Sequence, residues 1–220
     1  MGDLILPPVL VATRSAHKLA EIREIMDDVP VRFLSLLDLG LSPSPAEDEL
    51  EPFDTFALNA MSKAKYFHGR TGLPTLADDS GLCVDALEGG PGVRTKRFAP
   101  ESWAREQGRD RANNLWLLDQ LTGVPPEERG ARYRCAIAVT DDCEHDVYEG
   151  SVEGRIALEP RGEGGFGYDP LFLLHGGEKT YAELPPETKK ATSHRAAALR
   201  RTIPWLMDHV AEGRRAPTAG

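Results

Sequence analysis

The sequence predicts an α/β domain built on a mixed β-sheet, and three observations carry that prediction. Val9-Leu10-Val11-Ala12 is an apolar run of strand length, followed by a polar turn at Thr13–Ala16. Behind it, Leu19, Ile22, Ile25 and Met26 fall at helical spacing, and a strand, short turn and helix make half of an α/β unit. Tyr133, Cys135, Ile137 and Val139 alternate within 131–141, and 146–158 gives a second strand pattern with Gly150 and Gly154 read as bends. These two read as antiparallel neighbours, which makes the sheet mixed. Apolar residues at helical spacing in 53–68, 104–121 and 193–210 supply helices to flank it.

The remaining elements follow in chain order. Residues 31–37 can form a second strand, and Ser42–Pro52 (SPSPAEDELEP) is an acidic, Pro-rich stretch expected to be a solvated, mobile loop. The 53–68 helix carries Phe56, Ala60, Ala64 and Phe67, with Asp54 as its expected N-cap and Asn59 and Lys63 sharing a face at i, i+4. Leu73–Ala77 reads as a strand ending at Asp78-Asp79, with Ser80-Gly81 as a turn and Leu82-Cys83-Val84 re-entering the core. Residues 104–121 read as one amphipathic helix, and Leu171–Leu174 as a short strand. Pro204 is expected to kink or divide the last helix. No repeat or second domain boundary is evident, so 1–211 reads as one domain and 212–220 as a frayed tail.

Composition narrows the function. A net charge of −9 argues against a general nucleic-acid or membrane surface, since both reward excess Lys and Arg. The three cysteines lack CxxC spacing, as expected for reduced thiols in a cytoplasmic protein. Residues 1–13 make a poor signal peptide, and no 18-residue apolar stretch exists. Walker A, HExxH and GxSxG patterns are missing, which removes common nucleotide and hydrolase assignments.

The chemistry concentrates in a few stretches. Buried carboxylates such as Asp78 and Asp79 are costly unless they hold a metal or accept a proton. The glycines at 89, 90 and 92 allow close backbone approach, and Arg94, Lys96 and Arg97 could meet an anion. Thr13–Lys18 opens a helix whose free amides, with Lys18, suit a phosphate. In Gly165-Phe166-Gly167-Tyr168-Asp169, a ring flanked by glycines can stand beside a flat ligand while Asp169 accepts from its edge. Ser193-His194-Arg195 opens the last helix with further donors.

The motifs TRSAHK (13–18), TFALNAMSKA (55–64), ADDSGLCVDALEGGPGVRTKRFA (77–99), PRGEGGFGYDPLF (160–172) and KKATSHRAAAL (189–199) occur together and in order. In them the chain resembles the inosine triphosphate pyrophosphatase family, which hydrolyses deaminated purine nucleoside triphosphates. The resemblance implies an elongated mixed sheet flanked by helices in two lobes with a nucleotide cleft, Mg²⁺ as cofactor, and a homodimer. It implies Asp79 as proton acceptor and metal ligand, Glu51 as second metal carboxylate, and Thr13, Arg14, Ser15, Ala16, His17 and Lys18 as the phosphate loop. Ser80, Phe166, Gly167, Tyr168, Asp169, Lys189, His194 and Arg195 are implied as the remaining substrate contacts. The chain departs from the family pattern at Ser15 (usually Asn), at Pro52-Phe53 (usually small residues), at Leu58 (usually Glu) and at Thr95 (usually Ser).

The implied reaction is attack of a water, deprotonated by Asp79 or its neighbour Asp78, on the α-phosphorus, releasing pyrophosphate. A 6-oxo purine edge suits donors at His194–Arg195 and an acceptor at Asp169, and mismatches adenine. Two alternatives remain at this stage: a Maf-like pyrophosphatase for modified pyrimidine nucleotides, and a nucleotide sensor without catalysis. The two carboxylates disfavour the sensor, and GFGYDP with SHR favours a purine.

Overall fold

The computed structural model describes residues 6–212. Its sheet has six strands: β1 (Pro8–Val11), β2 (Arg32–Ser35), β3 (Thr75–Val84), β4 (Gly130–Thr140), β5 (His145–Ile156) and β6 (Phe172–Leu174). Their order is β2-β1-β3-β4-β5-β6. β1 pairs parallel with β2 and β3, whereas β5 and β6 run antiparallel, so the sheet is mixed. The helices are α1 (Ala16–Ile25), α2 (Phe56–Thr71), α3 (Glu101–Gln107), α4 (Arg109–Gln120), α5 (Pro186–Thr192) and α6 (His194–Leu206). Among the described residues no helix is long and apolar enough to cross a membrane.

The chain packs as two units, and their boundaries fall inside strands β3, β4 and β5. Within the described residues the first comprises 6–79, 136–149 and 195–212; the second comprises 80–135 and 150–194. In the first, Val9, Leu10 and Val11 of β1 are fully buried, as are Ile22 of α1, Ala60 and Ala64 of α2 and Leu199 of α6. In the second, Leu117 and Leu121 join Tyr133, Ile156, Tyr168, Leu171, Phe172 and Tyr181 in one core cluster. Of the expected 212–220 tail, residues 213–220 lie outside the described residues.

Six local expectations are corrected. Ser80-Gly81 is no turn: β3 runs unbroken for ten residues, all of them buried, because tertiary burial overrides the local turn preference. The expected single helix over 104–121 is two, divided at Gly108, whose φ of 80° and ψ of 150° lie outside helical geometry. α2 is capped by Thr55, whose hydroxyl accepts from Leu58 N, rather than by Asp54. Gly154 is not a bend but a paired residue of β5, where a Cβ would lie 2.3 Å from the Leu173 carbonyl oxygen. The expected loop at 42–52 contains a 3₁₀ turn, Pro45–Glu49, closed by a Ser44/Glu47 capping box. Pro204 does not divide α6, which runs to Leu206 and continues into a π turn at Met207–Ala211. α5, which the sequence pattern did not announce, starts where Pro185-Pro186 fixes the backbone at a helix N-terminus.

Candidate active site

In the first unit, the middle of β3 presents Asp78 and Asp79, 2% and 4% exposed. Adjacent strand residues point to opposite faces, and the two acids meet different partners accordingly. Asp78 forms an ion pair with Lys18 Nζ at 2.7 Å, and Arg195 Nε lies 3.5 Å from the same oxygen. Lys18 stands in the first turn of α1, where Ser15 is the N-cap and its hydroxyl accepts from Lys18 N. Arg195, in the first turn of α6, also pairs with Glu21 of α1. Burial pushes the Asp78 carboxyl up, but Lys18, Arg195 and Lys63 outweigh it and hold its pKa far below the usual carboxylate range. Asp78 is therefore a fixed anion.

Asp79 differs. Its partners come from α2: Asn59 Nδ2 donates to Oδ2 at 3.2 Å, and Lys63 Nζ lies 3.4 Å from Oδ1. Lys63 also donates to Glu51 Oε1 at 2.5 Å, so two carboxylates converge on one ammonium. Burial raises the Asp79 pKa, and Glu51 and Asp78 push the same way against the pull of Lys63 and Lys18. The Lys63 pKa is raised as well: burial would lower it, but Asp79, Asp78 and Glu51 together prevail. A carboxylate tuned upward beside an isoelectronic neighbour tuned downward is how one site obtains a proton acceptor and a fixed charge.

Asn59 holds more than Asp79. Its amide also donates to Phe53 O at 3.0 Å and accepts from Phe53 N at 2.9 Å, which fixes the chain two residues after Glu51. Asn59 and Lys63 are absent from the roles implied by the resemblance. Their signal lies in the sequence: the stripe of Phe56, Ala60, Ala64 and Phe67 includes both polar residues on its buried side. A buried polar pair at i, i+4 needs partners.

The second unit assembles the other candidates. Asp169 accepts from Tyr133 Oη at 3.3 Å, Phe166 N at 2.9 Å and Lys189 Nζ at 2.6 Å. The Lys189 ammonium stands 4.6 Å from the centroid of the Phe166 ring. Gly165 has φ of +75°, and a Cβ there would fall 2.1 Å from Asp169 Oδ2, so glycine is required. His194 stacks on Tyr133 at 4.8 Å between centroids, and Tyr133, fully buried, titrates well above the ordinary tyrosine value because of burial and Asp169. Gly167 N donates to Asp110, and its carbonyl accepts from Asn114. Tyr168 is buried, its hydroxyl donates to Thr95 O, and burial raises its pKa beyond the usual range for tyrosine.

Of the candidates named from sequence, the first unit thus brings together Lys18, Glu51, Asp79 and Arg195, and the second Phe166, Asp169, Lys189 and His194. Ala16 and His17 are exposed at the start of α1, Thr13 Oγ1 accepts from Ser15 N, and Ser80 is buried on β3. Arg14 points to the 41–47 segment, with its guanidinium on Glu47.

A mixed sheet whose central strand carries one fixed and one tunable carboxylate, with lysines at both, defines an α/β protein built to handle polyanions and cations. The chain belongs to the Ham1 family, whose family model matches residues 9–205. It is 49% identical over 201 residues to the dITP/XTP pyrophosphatase of Nocardia farcinica, covering 90% of this chain and 94% of that one. To the dITP/XTP pyrophosphatase of Geobacter sulfurreducens it is 47% identical over 203 residues, 92% of this chain and 96% of the other. The structure of a HAM1 protein from Coxiella burnetii superposes with a TM-score of 0.79 at 35% identity, covering 92% of this chain and 99% of that chain.

Proposed function

We propose that this chain hydrolyses deaminated purine nucleoside triphosphates (dITP, ITP and XTP) to the monophosphate and pyrophosphate, and so removes them from the nucleotide pool. The observation that carries the proposal is the split between Asp78, a fixed anion, and Asp79, a carboxylate able to accept a proton, in a member of the Ham1 family. Asp79 takes a proton from water as the water oxygen attacks the α-phosphorus. The bond from that phosphorus to the bridging oxygen breaks, and pyrophosphate leaves with the bonding electrons. General-base action of this kind typically contributes about 10²–10⁴-fold.

Glu51 and Asp79 already converge on one cation, Lys63, and such a donor pair fits Mg²⁺, which binds through one or two carboxylates plus phosphate oxygens and water. When bound, the ion would offset charge that develops on the triphosphate. Lys18 with the amides of Thr13–Lys18 is assigned to the phosphates. Phe166–Asp169 is assigned to base and sugar, Lys189, His194 and Arg195 to the remaining nucleotide contacts, and Ser80 to a further substrate contact. We further propose one functional domain over 1–211, a homodimer, a cytoplasmic location, and no nucleic-acid or membrane partner, on the acidic composition and the family resemblance.

The test is Mg²⁺-dependent turnover of dITP, ITP, XTP, GTP, ATP and dTTP with pyrophosphate and orthophosphate quantified separately. Pyrophosphate chiefly from dITP, ITP and XTP is the expected result. Orthophosphate as product, or equal use of ATP, overturns the reading.

A further inference from the structure

Arg14 lies in the stretch assigned above to the phosphates, yet its side chain is spent on the protein. Nε donates to Glu47 Oε2 at 2.9 Å and Nη2 to Glu47 Oε1 at 2.7 Å, a bidentate fork. Nη1 donates to Leu41 O at 2.5 Å, and Nη2 again to Ser42 O at 3.1 Å. The guanidinium carbon stands 5.9 Å from the centroid of the Phe67 ring. Four hydrogen bonds from one planar group match the geometry of a guanidinium, which the ammonium of a lysine cannot reproduce.

Glu47 passes this restraint along the chain. Its carboxylate also accepts from Ser44 N at 3.1 Å, and its carbonyl accepts from Leu50 N at 3.2 Å. Leu50 is buried and the next residue is Glu51, whose carboxylate meets Lys63. On the far side, Phe53 is held by Asn59. Glu51 is thus fixed from both directions, by Arg14 through Glu47 upstream and by Asn59 downstream.

We infer that Arg14 is a positioning residue: it binds no substrate, and its fork on Glu47, Leu41 and Ser42 sets the place of the Glu51 carboxylate beside Lys63 and Asp79. The inference rests on the function proposed above for Glu51. It separates two roles within six consecutive residues, with Lys18 for the phosphates and Arg14 for the segment that delivers the second carboxylate. An ordinary surface ion pair contributes little, whereas this one governs a reacting group.

The test compares Arg14→Lys, Arg14→Ala, Glu47→Gln and the Arg14→Ala/Glu47→Gln double variant by two independent readouts. The first is amide hydrogen exchange of residues 41–51 in the protein without nucleotide. The second is kinetic: the half-activating Mg²⁺ concentration and the KM for dITP. Positioning predicts faster exchange in 41–51 and a half-activating Mg²⁺ concentration raised about tenfold, with KM at saturating Mg²⁺ within about twofold. It predicts that Glu47→Gln reproduces Arg14→Ala and that the double variant is no worse than either, because the residues act as one unit. A raised KM for Arg14→Ala with a normal Glu47→Gln would make Arg14 a substrate ligand and overturn the inference. So would unchanged exchange, or faster exchange with unchanged Mg²⁺ dependence. If the wild-type enzyme fails to turn over dITP and XTP, the proposed function falls, while the exchange result still decides whether the fork orders 41–51.

Discussion

The carboxylates of the two units are held by different means. In the first, Asp78 and Asp79 are governed by full charges, Lys18 and Arg195 on one and Lys63 on the other, with Glu51 adding a like charge. In the second, Asp169 is held by a phenol hydroxyl, a backbone amide and one ammonium, all at hydrogen-bond distance. Charges set protonation and can be retuned by a neighbour, whereas an oriented hydroxyl and amide fix direction. The first arrangement suits proton transfer and phosphate chemistry; the second suits reading the hydrogen-bonding edge of a base.

The sharpest way to break that contrast is Asp79→Asn. Turnover should fall about 10²–10⁴-fold, while the thermal midpoint at neutral pH stays equal to or above that of wild type, because burial makes the Asp79 charge unfavourable. A large loss of stability with normal turnover would reverse the roles of the two acids. Asp78→Asn should do the opposite in kind: it removes the buried carboxylate charge that Lys18 and Arg195 share and costs about 3–5 kcal/mol in denaturant unfolding.

Acid sharpens the same pair. The folded pKa of Asp78 is depressed, so its stabilisation is complete above the unfolded value of about 3.9 and is lost as pH falls through the folded one. The folded pKa of Asp79 is raised, so the cost of its charge is felt above that value and is relieved on acidification. The stability gap between wild type and Asp78→Asn should therefore narrow below about pH 4, measured by denaturant midpoints across pH. A gap that widens in acid contradicts the ion pairing. The smallest effect belongs to the second unit: Tyr133→Phe removes one donor to Asp169 and should cost about 0.5–1.5 kcal/mol in unfolding free energy.

Much of this was legible in the sequence, and the misses have physical causes. β1, β4, β5 and β6, and helices α1 and α2, follow from periodicity to within a few residues, because their buried faces repeat regularly. β3 was legible only in part: Ser80-Gly81 has the local chemistry of a turn, and its burial on both faces is a tertiary fact. The apolar spacing over 104–121 continues across Gly108, so the sequence pattern does not mark the break that its φ of 80° makes. The acids and basic residues of the site stand in motifs, so their identity was readable, but their division of labour was not. Asp78 and Asp79 are chemically identical in the sequence, and only the side chains opposite each strand face tell them apart. Lys63, Asn59 and Tyr133 are placed on their elements by the sequence but receive no site role for a related reason: each looks like helix or strand filling until its partner, twelve or more residues away, is in place.

That the two acids ride on an unbroken strand also constrains how this protein can change over time. A site on a loop can gain or lose residues and be re-explored. Within Thr75–Val84, inserting or deleting a single residue ahead of Asp78 would exchange the faces of both carboxylates at once. The length of β3 is therefore as constrained as its two carboxylates, and variants with one codon added or removed ahead of Asp78 should lose activity.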